Sequence, residues 1–164
     1  MIRREQGLTL LEFTLVVLFI GLLMWLAMTK ILRLEGDVER VNVQRTVAAL
    51  NSALAMEFAE RVVTGRLDTA PELASGNPMD RLAQVPHNYL GPLADPIPAE
   101  IRVGHWYYDA ADGLLVYRVS HGDRFESPLE GPPRARFRVE VVASERDGTP
   151  QGVRMVAVDA FEWK

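Results

Sequence analysis

Residues 8–29 read LTLLEFTLVVLFIGLLMWLAMT, a stretch of 22 residues in which Glu12 is the single charge. An α-helix rises about 1.5 Å per residue, so this stretch would be about 33 Å long, enough to cross the roughly 30 Å core of a bilayer. Arg3 and Arg4 stand immediately before it, and basic residues favour the cytoplasmic side of a membrane. We therefore predict a single membrane-spanning helix with a cytoplasmic N-terminus and an exported C-terminal portion.

Two simpler interpretations of this stretch fit less well. A cleaved secretory signal has an apolar core of about 7–15 residues followed by a small-residue cleavage site, whereas this core is longer and no such site follows it. A plain membrane anchor fits the length but leaves Glu12 unexplained, because a carboxylate costs about 2.5–3.5 kcal/mol near the centre of a membrane helix. Either Glu12 reaches water at the cytoplasmic interface or it pairs with a cationic group.

The composition limits the remaining possibilities. The chain has 164 residues, which allows one modest domain plus an appendage. Its net charge is -4, and a mildly acidic chain argues against nucleic-acid binding, which needs a concentrated basic surface. The absence of cysteine excludes disulfides, zinc fingers, iron–sulfur clusters and thiol chemistry.

A helical pattern continues beyond the apolar stretch. No proline occurs from Leu8 to Ala70, and Gly65 offers a C-terminal cap, so we predict one helix over residues 8–64, amphipathic in its part 30–64. The apolar positions step by three or four: Ile31, Leu34, Val38 and Val41, then Val47, Leu50, Leu54, Phe58 and Val62. Glu35, Glu39, Arg40, Arg45, Glu57, Glu60 and Arg61 occupy the other faces. We expect residues 47–62 to pack on a globular head and the earlier positions to face neighbouring molecules.

Residues 65–100 contain six of the ten prolines, which predicts a connecting loop region. Within it, Asn77 followed by Pro78 predicts a short helix, because Asn is a good N-cap and Pro suits the first helical position. Residues 88–91 (Asn-Tyr-Leu-Gly) are interpreted as a packed turn.

Residues 101–164 show strand patterns separated by turns. The predicted strands are 103–108, 114–119, 135–143 and 153–161. Strands joined in sequence by short turns favour an antiparallel meander. The predicted fold class is therefore α+β, with a long N-terminal helix packed on an antiparallel sheet of about four strands.

The string Arg4-Glu5-Gln6-Gly7-Leu8-Thr9-Leu10-Leu11-Glu12-Phe13 resembles the class III signal of type IV pilins and type II secretion pseudopilins. The resemblance implies that a prepilin peptidase cuts between Gly7 and Leu8, removes the leader 1–7 and methylates the new N-terminus. It also implies that residues 8–29 form the transmembrane and assembly helix. Glu12, the fifth mature residue, would then pair with the Leu8 amine of a neighbouring subunit, a contact suited to fixing axial register.

The resemblance further implies a pilin-like fold, a non-enzymatic role without cofactors, and location in the inner membrane with a periplasmic head and incorporation into a filament. The implied partners are the prepilin peptidase, other pilin or pseudopilin subunits, the inner-membrane assembly platform and the lipid bilayer; nucleic acid is not expected. The lack of a C-terminal disulfide, of a proline near Thr29 and of a calcium loop points to a minor subunit. The alternative is a membrane-anchored periplasmic binding or enzymatic domain that uses residues 8–29 only as an anchor.

Other chemistry is weighed against plainer interpretations. Asp109, Asp112 and Asp123 offer oxygen ligands for calcium, but aspartates are also favoured in hairpin turns, and we prefer that interpretation. Trp106, Tyr107, Tyr108 and Tyr117 could form a binding patch, although aromatic residues in paired strands more often pack across strands. Arg134, Arg136 and Arg138 are predicted to lie on a solvated strand face, and the three histidines show no catalytic spacing.

Overall fold

The structure is a computed structural model that describes residues 10–164, with the side chains of residues 29–36 outside the description. The processing residues predicted from the sequence, Gly7 and Leu8, therefore lie outside the described residues. The chain divides into two compact units, Met1–Asp37 and Val38–Lys164.

The first unit is helical throughout its described part. Helix α1 extends over Leu10–Val63 and so begins in this unit. Its segment Leu10–Met28 has a mean hydropathy of 2.4, and none of that segment is buried within the protein. Large apolar side chains such as Leu18 and Trp25 are about two-thirds exposed (69% and 64%). By length and composition the segment can span a membrane, as predicted; the orientation stays a prediction.

In the second unit α1 ends as the sequence predicts. Gly65 adopts a positive φ of 70°, a backbone conformation that costs glycine little. Its N–H donates to the carbonyl of Val62 at 3.2 Å, and the Arg66 N–H donates to the carbonyl of Arg61 at 2.8 Å. This paired arrangement satisfies helix-terminal carbonyls, so the glycine terminates the helix cleanly.

The connecting region holds more regular structure than a loop. It contains two 3-10 helices, Leu67–Ala74 and Pro78–Arg81. The predicted cap at Asn77 is confirmed, since its side chain accepts a hydrogen bond from the Met79 N–H at 3.1 Å. The packed turn expected at residues 88–91 is wrong: strand β1, Tyr89–Leu93, begins there.

Strand β1 lies parallel to strand β2, His105–Asp109. The Trp106 N–H donates to the Asn88 carbonyl and the Ala110 N–H to the Leu93 carbonyl, both at 2.9 Å. Pro92 is compatible with this strand because β1 lies at the edge of the sheet, where a missing N–H is tolerated. A parallel partner joined through a long connection gives no turn signal, so the sequence pattern did not reveal it.

Three further strands of the main sheet are β3 (Leu114–Arg118), β5 (Arg134–Ala143) and β6 (Pro150–Ala157). The five strands lie in the order β1-β2-β3-β5-β6, and from β3 onward each is antiparallel to the strand before it in that order. Strands β4 (Phe125–Glu126) and β7 (Glu162–Trp163) form a separate antiparallel pair. The predicted α+β class and four antiparallel strands are confirmed, with β1 and the small pair added.

The core of the second unit lies between α1 and one face of the sheet. Its helical members are Val43, Leu50 and Leu54, with Val47 partly buried against them. The sheet and the segments beside it contribute Trp106, Leu115, Tyr117, Val119, Phe125, Ala135, Phe137, Val139 and Met155.

The apolar stripe predicted along α1 coincides only in part with the positions that the structure buries. Val62, expected in the core, is 46% exposed, and Val43, not assigned to the stripe, is buried. The core-facing positions 43, 47, 50 and 54 follow helical spacing on their own. Val38 and Val41 are exposed, so neither contributes to this core.

Candidate functional site

Glu12 lies in the first turn of α1 and is exposed. The neighbouring Thr14 hydroxyl donates to the Leu10 carbonyl at 2.8 Å. That bond satisfies a polar hydrogen within the helix, as an apolar environment requires.

A second carboxylate of α1, Glu39, is buried in the head, with only 6% of its surface exposed. It accepts hydrogen bonds from the Tyr117 hydroxyl at 2.9 Å and from the backbone N–H groups of Ser120 and His121 at 2.6 and 3.1 Å. The His121 Nδ1 lies 2.9 Å from the same carboxylate. We call this set of residues, Glu39, Tyr117, Ser120 and His121, the helix latch.

The hydrogen bonding of the helix latch suits a structural role better than a catalytic one. Burial raises the pKa of Tyr117, and the nearby charge of Glu39 raises it further, so the hydroxyl stays protonated and keeps donating. Both carboxylate oxygens of Glu39 receive donors, which leaves little capacity for a base to accept a substrate proton. The latch therefore fixes α1 to the segment that follows β3.

The predicted position of Glu39, on a face other than the apolar stripe of the helix, is wrong. Helical spacing could have predicted the burial of Glu39. This residue lies four positions before Val43 and so extends the core-facing series 43, 47, 50 and 54 toward the N-terminus. A charged residue on a core-facing position is unusual unless its charge is compensated, and here the backbone of residues 120–121 supplies much of the compensation.

Asp109 stabilises the hairpin turn, as we prefer from the sequence. One oxygen of Asp109 accepts the N–H groups of Ala111 and Asp112 at 3.1 and 3.2 Å. Among the described residues, no group of three His, Cys, Asp or Glu side chains is placed to hold a metal ion.

The aromatic residues of β2 and β3 pack inside the protein. Trp106, Tyr107 and Tyr117 are at most 5% exposed. The ring centroids of Trp106 and Tyr117 are 4.9 Å apart, and those of Trp106 and Phe137 are 5.7 Å apart. The cross-strand packing interpretation is confirmed for Trp106 and Tyr117, and Tyr107 is buried and so does not form an exposed patch.

The arginine row of β5 is only partly solvated. Arg138 is more than half exposed and pairs with Glu140, as a solvated face predicts. Arg136 differs, because it donates two hydrogen bonds, of 2.7 and 2.8 Å, to Asp159 and its side chain is three-quarters buried. That hydrogen bonding lowers the pKa of Asp159, so the pair stays ionised and ties β5 to the segment after β6.

Comparisons with known proteins do not extend this description. A scan of known family models, a search of curated proteins and a search of solved structures each found no match. The function is therefore argued from the residues and their geometry.

Proposed function

We propose that the chain is a minor pilin or pseudopilin. In this proposal it is a structural subunit of the inner membrane that a prepilin peptidase processes and that then enters a type IV pilus or a type II secretion pseudopilus. The head faces the periplasm, and the partners are other subunits and the assembly platform in the inner membrane.

The observation that carries the proposal is the make-up of α1. No residue of its apolar segment Leu10–Met28 is buried in the isolated chain, while Glu39, Val43, Leu50 and Leu54 of the same helix are buried in the head. A simple anchor needs only the apolar segment. A continuous helix that has both an apolar segment and core-facing positions suits a subunit whose apolar part is transferred from lipid to the interior of a filament.

Glu12 supports the same proposal on energetic grounds. A carboxylate in an apolar helix has a cost, and pairing with a neighbour's free amine at Leu8 would offset that cost. Such an amine exists only after cleavage at Gly7, so in this proposal assembly depends on processing.

Mass spectrometry of the intact protein, extracted from membranes of a host with an active prepilin peptidase, tests the proposal. We expect a mature form that begins at Leu8 and carries one methyl group. Replacing Gly7 with valine should abolish this form. Gly21→Val is the matched control, because a side chain at Gly21 meets no atom within 4 Å. A mature protein that still begins at Met1 would favour the membrane-anchored binding or enzymatic domain instead.

A further inference from the structure

Trp25 lies within the apolar segment Leu10–Met28 of α1, and most of its side chain is exposed. Among the residues that the structure describes, none accepts a hydrogen bond from the indole N–H of Trp25. Thr14 differs, because its hydroxyl donates to the Leu10 carbonyl within the same helix. Trp25 therefore brings into the segment a hydrogen-bond donor that the helix itself does not satisfy.

The charges that flank the segment indicate the depth of Trp25 in a bilayer. Glu12 and Lys30 belong to the same helix and are about 27 Å apart along its axis, close to the roughly 30 Å thickness of the hydrocarbon core. Trp25 lies about 7.5 Å before Lys30 on that axis. A long helical side chain covers the turn that precedes it, so the indole is directed toward the middle of the bilayer. The N–H therefore lies in hydrocarbon, where an unsatisfied donor is unfavourable.

Trp25 and Glu12 lie on different sides of α1. At 3.6 residues per turn, their side chains are about 140° apart around the helix axis. Leu18 and Met28 lie on the side of Trp25, within about 60° of it, and both are largely exposed. We call Leu18, Trp25 and Met28 the tryptophan face. A neighbour that pairs with Glu12 therefore does not reach this face.

We propose that the tryptophan face binds a transmembrane helix of a different protein, which accepts the hydrogen bond of Trp25 through an amide or hydroxyl oxygen. This partner rests on the proposed function only through the membrane-spanning role of Leu10–Met28. A helix satisfies its own backbone in hydrocarbon, and asparagine, glutamine, serine and threonine side chains form hydrogen bonds between membrane helices. A second copy inserted to the same depth is not this partner, because residues 21–28 offer no side-chain oxygen.

Fluorescence quenching in phosphatidylcholine vesicles tests the depth of Trp25 in the full-length protein. Bromine atoms on the acyl chains and a nitroxide on the headgroup serve as quenchers in separate vesicles. Trp106 and Trp163 belong to the head, and the Trp25→Phe variant measures their contribution, which is subtracted. We expect the acyl-chain quencher to act more strongly on Trp25 than the headgroup quencher. The opposite order would overturn the proposal, because the N–H would then have headgroup acceptors.

Binding is tested with a defined partner, a polyleucine transmembrane peptide of about 20 residues. It carries a glutamine about 7.5 Å from the lysines at each end, so that either orientation presents an acceptor at the depth of Trp25. A peptide with leucine at both positions is the matched control. The chain has no cysteine, so Val38→Cys, at an exposed position, takes a single fluorophore for energy transfer to the labelled peptide.

We expect the protein to bind the glutamine peptide more tightly than the leucine peptide. Trp25→Phe should weaken only the glutamine peptide, about threefold, the usual effect of one hydrogen bond between membrane helices. A second variant, Phe19→Trp combined with Trp25→Phe, keeps the composition but moves the indole about 120° around the helix and about 9 Å along it. We expect this variant to bind the glutamine peptide as weakly as Trp25→Phe alone.

Four results of the binding test would overturn the proposal. They are equal binding of the two peptides, a preference for glutamine that Trp25→Phe leaves unchanged, full binding by the variant with the relocated indole, and self-association of the peptide-free protein that Trp25→Phe abolishes. None of these measurements requires a prepilin peptidase, so their outcome is separate from that of processing at Gly7.

Discussion

The hydroxyl of Tyr117 donates a 2.9 Å hydrogen bond to the carboxylate of Glu39, a residue 78 positions earlier in the chain. This bond joins helix α1 to strand β3 inside the head. The second compact unit begins at Val38, so Glu39 is the second residue of that unit. The latch therefore fixes α1 to the sheet at the start of the head.

Glu39→Leu should destabilise the head. The substitution leaves the Tyr117 hydroxyl and the N–H groups of Ser120 and His121 without their acceptor, and unsatisfied buried donors are costly. We expect a loss of about 3 kcal/mol, or about 9 °C in the midpoint of thermal unfolding. Near-ultraviolet circular dichroism of the full-length protein in detergent measures it through the packed Trp106 and Tyr117.

Glu60→Leu is the control for the latch. Glu60 lies on the same helix but is mostly exposed and forms only a surface pair with Arg66. Such pairs contribute at most about 1 kcal/mol. Equal effects of Glu39→Leu and Glu60→Leu would show that the latch contributes no special stability.

The pair of Arg136 and Asp159 should give the head an acid-dependent component of stability. Hydrogen bonding to Arg136 lowers the pKa of Asp159 below its ordinary value of 3.8. A lowered pKa in the folded state stabilises the protein above the ordinary value, and the benefit disappears as pH falls through the lowered value. Asp159→Asn should therefore cost about 1 kcal/mol at pH 7 and progressively less below pH ~4.

Urea unfolding at a series of pH values measures this difference. Glu140→Gln, at the more exposed pair with Arg138, should change stability less. If the cost of Asp159→Asn were the same at pH 7 and at pH 2, the ion pair would not be its cause.

Much of the fold follows from local sequence signals. The long helix, its end at Gly65, the cap at Asn77 and the antiparallel strands each depend on neighbouring residues or on regular spacing. The structure agrees with these predictions to within a few residues. Local signals suffice because the helix and its caps depend on hydrogen bonds between nearby residues, and the strands show alternating apolar positions and turn residues.

Features that depend on distant residues could not be predicted in the same way. The parallel pairing of β1, the contact of Arg136 with Asp159 and the latch at Glu39 each join separate segments. Residue type alone suggested solvent exposure for Arg136 and Glu39, since isolated charges are seldom buried. Only the tertiary structure supplies the compensating groups. The predicted role of Gly7 and Leu8 in processing depends on the sequence resemblance alone.

Removal of residues 1–32 should release a soluble, folded and monomeric head. The deletion takes away the exposed apolar segment Leu10–Met28 and keeps the whole unit Val38–Lys164, including the latch. Size-exclusion chromatography and circular dichroism check solubility, mass and folding. An insoluble or unfolded fragment would contradict the division into a membrane part and an independent head.

We expect entry of the chain into filaments to depend on Glu12. The amount of each variant in sheared filaments or with its partner subunits, relative to its amount in the membrane, measures this dependence. Glu12→Leu should insert into the membrane normally but enter filaments far less, because an unpaired amine left in an apolar interior costs several kcal/mol (about 3–5).

Glu12→Asp keeps the charge on a shorter side chain and should give an intermediate amount. We expect incorporation to decrease from wild type to Glu12→Asp and further to Glu12→Leu. Equal incorporation of Glu12→Leu and wild type, or absence of the wild-type chain from filaments and partner subunits, would contradict it.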